Sequence, residues 1–94
     1  MKRIQSINPF TEKLNAEFDY FSKSKALERI KKSRSAFSDW EELSPSSRGS
    51  FFRKLSDVLD KKKRNIAEKI TQEMGKPISQ ALTEIERCMN ICTY

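Results

Sequence analysis

The stretch Thr71-Gln72-Glu73-Met74-Gly75-Lys76-Pro77-Ile78 separates two runs of residues with helical periodicity. Gly75 suits the left-handed backbone that often follows a helix, and Pro77 cannot continue the preceding helix. The stretch therefore predicts that one helix ends before Gly75 and that the next begins at Pro77. Apolar residues recur every three or four positions on both sides, as in helices that bury one face. They are Ile66, Ala67, Ile70 and Met74 before the break, and Ile78, Ala81, Leu82, Ile85, Met89 and Cys92 after it.

Two further helical patterns precede this break. Ser22 or Ser24 is placed to cap a first helix, with apolar residues Ala26, Leu27, Ile30, Phe37 and Trp40. Ser44-Pro45 supplies an N-cap and a first helical residue for a second helix, with apolar residues Phe51, Phe52, Leu55, Val58 and Leu59. The basic run Lys61-Lys62-Lys63-Arg64 then leaves two alternatives open. A bend there gives four helices in the chain, and a continuous helix gives three.

The beginning of the chain has a different period. Over residues 14–21 apolar and polar side chains alternate, which is typical of a half-buried strand. Residues 4–7 form a shorter candidate strand, and the segment between them starts with the turn-forming pair Asn8-Pro9. The sequence therefore predicts a mostly helical α+β fold, with a β-hairpin over residues 1–21 and three or four helices over residues 22–94.

Composition excludes several classes of protein. The chain has 94 residues, of which 36% are hydrophobic and 34% charged, so it is one small domain with little core. It contains no histidine, which is the commonest general base, and only two glycines, too few for a glycine-rich phosphate loop. No apolar run is long enough to span a membrane, and Met1-Lys2-Arg3 is not followed by the apolar segment of a signal peptide. We therefore expect a cytoplasmic protein that does not bind membranes.

The charge and the cysteines each have a structural explanation. The net charge of +6 is compatible with nucleic-acid binding. However, the densest basic run, residues 61–64, lies between helical segments, where a solvated helix surface is the more common role. Cys88 and Cys92 stand four residues apart in a helical pattern, a poor geometry for a disulfide and too few ligands for a strong metal site. We therefore expect two reduced core cysteines and consider nucleic-acid binding the less favoured function.

Five short pieces of sequence occur in a fixed order along the chain. They are Ile7-Asn8-Pro9 followed by Thr11; Ala36-Phe37-Ser38-Asp39-Trp40; Leu43-Ser44-Pro45 followed by Arg48; the segment Leu55 to Leu59; and Glu73-Met74-Gly75-Lys76-Pro77. Together they resemble the amino-terminal part of the aldehyde dehydrogenase superfamily. The stretch 71–78 is most similar to short bacterial NAD(P)-dependent succinate-semialdehyde dehydrogenases. The resemblance extends from about Ile4 to Tyr94 and covers about the first fifth of the family's length.

The resemblance implies that the chain is a flank of the cofactor-binding domain of an α/β, Rossmann-type dehydrogenase. The full-length enzyme would use NAD or NADP to oxidise an aldehyde, such as succinate semialdehyde, to the acid. The family's nucleophilic cysteine and its cofactor loops belong to sequence beyond Tyr94, and neither Cys88 nor Cys92 matches that nucleophile. We therefore expect residues 1–94 to contain no catalytic or cofactor-binding residue and to have no dehydrogenase activity alone.

The resemblance also implies a monovalent cation site. Many family members hold such a cation with backbone oxygen near the Asn-Pro turn and an acidic side chain on the last of these helices. The matching positions are Ser6 or Ile7 for the backbone and Glu84 for the carboxylate; alternatively, Glu84 is a solvated surface residue like Glu86. The first hairpin turn departs from the family, which usually has glycine where this chain has Glu12. Either the turn differs or Glu12 bears left-handed strain of about 1 kcal/mol.

Two classes of function therefore remain. The leading interpretation is a non-catalytic, amino-terminal fragment of an aldehyde dehydrogenase, because the helical pattern continues to Tyr94 without a cap. The alternative is a small basic helical module that binds nucleic acid or a protein partner. In the fragment, we expect most packing to occur among Phe18, Phe37, Trp40, Phe51, Phe52 and the apolar stripe of residues 78–92. The apolar surface that faces the Rossmann-type sheet in the whole enzyme would lack that cover, so we expect the chain to form homo-oligomers through its last helix. Salt-dependent binding would distinguish the basic module.

Overall fold

The computed structural model describes residues 3–94 and contains one hairpin and three helices. The elements are β1 (Arg3–Ile7), β2 (Leu14–Asp19), α1 (Lys23–Glu41), α2 (Pro45–Met74) and α3 (Ile78–Thr93). The predicted order, a hairpin followed by helices, is confirmed. The predicted hairpin also included Met1 and Lys2, which lie outside the described residues. Within residues 3–94, no helix is long and apolar enough to cross a membrane.

The helix ends follow the capping residues that the sequence predicted. Ser22, rather than Ser24, caps α1 and accepts a hydrogen bond from the backbone N–H of Lys25. The Ser44 side chain accepts one from the N–H of Ser47 at the start of α2. At the other end of α2, Gly75 adopts the left-handed conformation with φ 74°. These local signals determine where the chain changes direction.

The basic run does not bend the chain. Helix α2 continues for 30 residues through residues 61–64, so the alternative with three helices is the correct one. Lysine and arginine are good helix formers, and the run contains neither glycine nor proline to interrupt the backbone hydrogen bonds. Ion pairs also engage two of its members, Lys63 with Glu86 of α3 and Arg64 with Glu68 one turn later.

The hairpin is antiparallel, with Ile4 opposite Phe18 and a bulge between Ser6 and Ile7. Its second strand ends at Asp19, two residues earlier than predicted, because the chain then turns toward the N-cap of α1. In the turn, the Asn8 side-chain oxygen accepts hydrogen bonds from the N–H groups of two following residues. Glu12 has φ 61°, so the left-handed strain predicted for this position is present.

The buried core lies between α2 and α3. It consists of Ala67, Ala81 and Ile85, surrounded by the half-buried side chains of Leu59, Ile66, Ile70, Ile78, Leu82 and Met89. The two alanines are fully buried, and their small side chains let the two helix backbones approach closely where they cross. The helical stripes predicted on either side of the Gly75 break therefore form most of this core. The prediction was wrong for Met74, which is 68% exposed at the end of α2.

Helix α1 lies largely outside this core. Its Trp40 ring packs against Phe51 and Phe52, at centroid distances of 5.7 and 6.3 Å, which confirms a packing role for the tryptophan. The predicted packing of the 78–92 stripe is confirmed for most of its residues, which meet α2, but burial of the phenylalanines was wrongly predicted. Phe18, Phe37 and both of the α2 phenylalanines remain 44–53% exposed. The reason is that α1 meets α2 only near the Ser44 turn and diverges from it elsewhere.

The molecule is consequently open and flat. Its radius of gyration is 17.3 Å, whereas a compact domain of this length has about 12 Å. Its exposed apolar residues on α1 and the first half of α2 are called here the open apolar residues; they are Leu27, Ile30, Phe37, Phe51, Phe52, Leu55 and Val58. By contrast, Ile85 of the last helix is only 3% exposed. The apolar surface that α3 was expected to offer to another chain is therefore mostly used within this one.

Candidate functional site

The hairpin is attached to the carboxyl end of α2 by side-chain hydrogen bonds. The Ser6 hydroxyl donates to a carboxylate oxygen of Glu73 at 3.0 Å. The Asn15 side-chain amide donates to the backbone carbonyl of Gln72 at 2.9 Å and to the Ser6 hydroxyl at 3.4 Å. Because both strands contribute one partner, these contacts fix the hairpin's position relative to the end of the helix.

Gly75 brings two of the sequence motifs into contact. A Cβ atom at this position would lie 3.1 Å from Cγ of Pro9, closer than ordinary van der Waals contact. Glycine is therefore required twice, once for its positive φ and once for the close approach of the Asn8-Pro9 turn. The Asn-Pro turn and the Gly-Lys-Pro break therefore form one junction. Pro9 and Gly75, which meet there, are 66 positions apart in the chain.

Glu84 lies beyond this junction on α3 and is paired with Lys76. The Lys76 ammonium donates to a Glu84 carboxylate oxygen, and both side chains are partly exposed. They line an open polar cavity of about 340 Å³, together with Ser79, Gln80, Thr83 and Arg87. A cation at Glu84 would compete with this ammonium for the carboxylate.

The other predicted cation ligands lie in the hairpin. The Ser6 hydroxyl bonds to Glu73, as described, and Ile7 is opposite Leu14 in the strand ladder. The side-chain hydrogen bonds of Ser6 and Glu84 thus go to different partners. The set of Ser6, Ile7 and Glu84 as a monovalent cation site stays a prediction, and Lys76 is the competitor that the sequence did not reveal.

The junction and its flanking elements match a known family over their whole length. A family model described as "Aldehyde dehydrogenase family" matches residues 1–94. The chain belongs to the aldehyde dehydrogenase family. Two of the five pieces that suggested this membership, the Asn-Pro turn and the Glu-Met-Gly-Lys-Pro break, meet at Gly75.

Several curated members of the aldehyde dehydrogenase family are similar to this chain. A probable succinate-semialdehyde dehydrogenase [NADP(+)] of Synechocystis is 30% identical over 97% of the chain. A lactaldehyde dehydrogenase of Methanococcus aeolicus is 33% identical over 92%, and a succinate semialdehyde dehydrogenase [NAD(P)+] of Escherichia coli is 29% identical over 95%. The chain covers 20%, 18% and 19% of these three relatives, so it spans about a fifth of their length.

The residues of this aldehyde dehydrogenase chain do not fit a dinucleotide cofactor. A pyrophosphate needs backbone N–H groups at a glycine-rich turn between a strand and a helix. Of the two glycines, Gly49 lies within α2 and Gly75 packs against Pro9. The two strands are antiparallel and adjacent in sequence, rather than joined by a helix as in a dinucleotide-binding unit. Among residues 3–94, neither glycine therefore forms the strand-to-helix turn that would hold the pyrophosphate of NAD(P).

The basic run of α2 has structural partners. Lys63 Nζ lies 2.5 Å from a Glu86 carboxylate oxygen and so links α2 to α3. Arg64 pairs with Glu68 at 3.2 Å on the same helix. Two of the four cations in the run are thus paired with carboxylates of the same chain, which reduces the positive charge available to a nucleic acid.

The two cysteines differ in their surroundings. Both are free, but Cys88 is exposed and Cys92 is half-buried, so the prediction of a core position was wrong for Cys88. Cys88 borders a groove between α2 and α3 and does not belong to the buried core cluster. The hydrogen bonds of Asn15 were not predicted either. An asparagine that alternates with apolar residues in a strand was the only signal, and it does not identify a partner.

Proposed function

We propose that this chain is the amino-terminal flank of an NAD(P)-dependent aldehyde dehydrogenase that oxidises succinate semialdehyde to succinate. Membership of the family supports the general reaction. Two relatives that are similar over nearly the whole chain, from Synechocystis and Escherichia coli, are named for this substrate. The Thr71–Ile78 stretch, which resembles the succinate-semialdehyde enzymes, forms the junction in which Gly75 packs against Pro9.

The observation that carries the proposal is the open arrangement of the helices. The radius of gyration exceeds that of a compact domain by about 5 Å, and seven large apolar side chains on α1 and the first half of α2 are exposed. Helices of this kind need another layer of structure to cover their apolar side. In the proposed enzyme, the cofactor-binding sheet supplies that layer, and the open apolar residues pack against it.

In this proposal the chain supports the reaction without taking part in it. The hydrogen bonds of Ser6 and Asn15 hold the hairpin on the end of α2. Gly75 then directs α3 away from that end. The nucleophile, the general base and the cofactor contacts belong to the remaining part of the enzyme, so the chain by itself does not reduce NAD(P)+.

The test is to express the complete reading frame that contains this chain and to measure NAD(P)H formation. Succinate semialdehyde and lactaldehyde are compared as substrates, because both appear in the names of similar relatives. We expect a higher kcat/KM with succinate semialdehyde and no activity from residues 1–94 alone. A preference for lactaldehyde would contradict the proposed substrate, and the absence of any aldehyde-dependent NAD(P)H formation would contradict the proposed reaction.

The basic module remains the alternative to be tested beside it. Its signature would be binding of the chain to nucleic acid with an affinity that falls steeply as salt rises. The ion pairs of Lys63 and Arg64 argue against it. A cytoplasmic location and a homo-oligomeric enzyme complete the proposal, and both are predictions from the sequence.

A further inference from the structure

The cysteine pair of α3 is a cluster of nucleophilic side chains that the proposed function does not use. Cys88 and Cys92 lie four residues apart in a continuous helix, so their side chains project from the same side, one turn apart. Both thiols are free, and Cys88 is exposed while Cys92 is half-buried. A small reagent that reaches Cys88 is therefore one helical turn from the second sulfur.

The helix holds the two sulfurs at a separation that favours a bridge over a direct bond. Residues four apart on a helix have Cβ atoms about 5–6 Å apart, whereas a disulfide requires about 3.5–4.5 Å. A direct S–S bond would thus distort the helix. A single atom between the two sulfurs replaces one S–S bond with two bonds, and the longer bridge spans the gap without moving the backbone.

An apolar groove lies beside Cys88. It has a volume of about 420 Å³ and is lined mainly by aliphatic side chains of both helices, namely Leu59, Ile66, Ile70 and Ile85, with Glu84 and Arg87 at its border. A reagent whose central atom binds the two sulfurs and whose third substituent is a hydrocarbon would direct that substituent toward this groove.

We propose that Cys88 and Cys92 form a two-thiol site for monosubstituted trivalent arsenicals, with the organic substituent in the groove. Arsenic in R–As(OH)2 forms two As–S bonds and loses its two As–O bonds. The two thiol protons leave with the hydroxide groups as two molecules of water. Arsenic stays trivalent and no sulfur is oxidised, so the step needs no further reactant. Soft thiolate ligands suit such a thiophilic centre.

The probe is phenylarsine oxide, which hydrates to the dihydroxide, and the readout is the intact mass of the native chain. We expect one adduct per chain, equal to the gain of one phenylarsenic group and the loss of two hydrogens. The adduct should resist a monothiol such as 2-mercaptoethanol and be removed by 2,3-dimercaptopropanol. Because the second As–S bond is intramolecular, each single variant, Cys88→Ser or Cys92→Ser, should lose the adduct at a monothiol concentration about a hundredfold lower.

A spacing control separates the helical geometry from the mere presence of two thiols. The double variant Cys92→Ser with Asn90→Cys keeps two cysteines but places them two residues apart, on different sides of α3. It should behave like the single variants, while circular dichroism shows that the helices are retained. Equal monothiol resistance in this control, or in either single variant, would overturn the proposal. Equal retention of phenyl and methyl arsenicals by the native chain would overturn the assignment of the groove.

Discussion

The two glycines give opposite predictions for the same substitution. Gly49 lies in the first part of α2, where its backbone is helical, and a Cβ there would have Arg53 Nη1 as its nearest neighbour at 3.5 Å. That distance is ordinary contact with the end of a flexible side chain. Gly49→Ala should therefore gain the helix propensity of alanine, about 0.8 kcal/mol.

Gly75→Ala should destabilise the protein for two reasons. Its φ of 74° places an alanine in the left-handed region, which costs about 1–2 kcal/mol. The new Cβ would also lie 3.1 Å from Pro9 Cγ, a ring atom that moves only if the turn moves. Displacing the turn would strain the bonds of Ser6 and Asn15 to α2, so we expect a total cost of about 2 kcal/mol.

Urea and thermal unfolding followed by far-UV circular dichroism measure both effects. For a chain of this size, 1 kcal/mol shifts the melting temperature by about 4–8 °C. The Gly49→Ala midpoint should therefore rise by about 5 °C, and that of Gly75→Ala should fall by about 10 °C. A Gly75→Ala variant as stable as the native chain, or two shifts of the same sign, would refute the described role of the junction.

Three further variants test other parts of the fold. Ile85→Ala should cost about 2–4 kcal/mol of unfolding free energy because Ile85 is 3% exposed. Ile91→Ala on the same helix should cost under about 0.5 kcal/mol because Ile91 is 76% exposed. Equal costs of the two variants in urea unfolding would contradict the described α2–α3 core. Glu12→Gly should stabilise the chain by about 0.5 kcal/mol through relief of left-handed strain, while Glu12→Ala, which keeps that strain, should not. Glu86→Gln should cost under about 1 kcal/mol in low salt and less in molar salt, because the Glu86 side chain is 54% exposed and its ion pair with Lys63 is screened by salt. A cost that salt does not change would show that the ion pair is not its cause.

Local signals in the sequence were sufficient to predict the elements and their ends. Ser44-Pro45 and Gly75-Lys76-Pro77 act within a few residues of themselves, so their effect on the backbone does not depend on the rest of the fold. The helical spacing of Ile66 to Ile70 and of Ile78 to Met89 likewise identified most of the core. The basic run left two alternatives because side-chain charge alone does not determine whether a helix bends.

Contacts between residues that are distant in the chain could not be predicted from local sequence signals. The bonds of Ser6 to Glu73 and of Asn15 to Gln72 depend on how the hairpin packs on α2, which no spacing in the chain reveals. The divergence of α1 from α2 was missed for the same reason. An apolar stripe shows that a helix has a partner surface, but it does not show whether that surface belongs to the same 94 residues.

The central claim is that this chain supplies the amino-terminal flank of a succinate-semialdehyde dehydrogenase. A chimera tests it most directly: the matching segment of the Escherichia coli enzyme is replaced by residues 1–94, and NAD(P)H formation from succinate semialdehyde is compared with that of the enzyme lacking the segment. We predict that the chimera recovers activity, and that replacing the open apolar pair Phe51 and Phe52 with serine lowers this recovery. A folded chimera that is no more active than the shortened enzyme would contradict the claim.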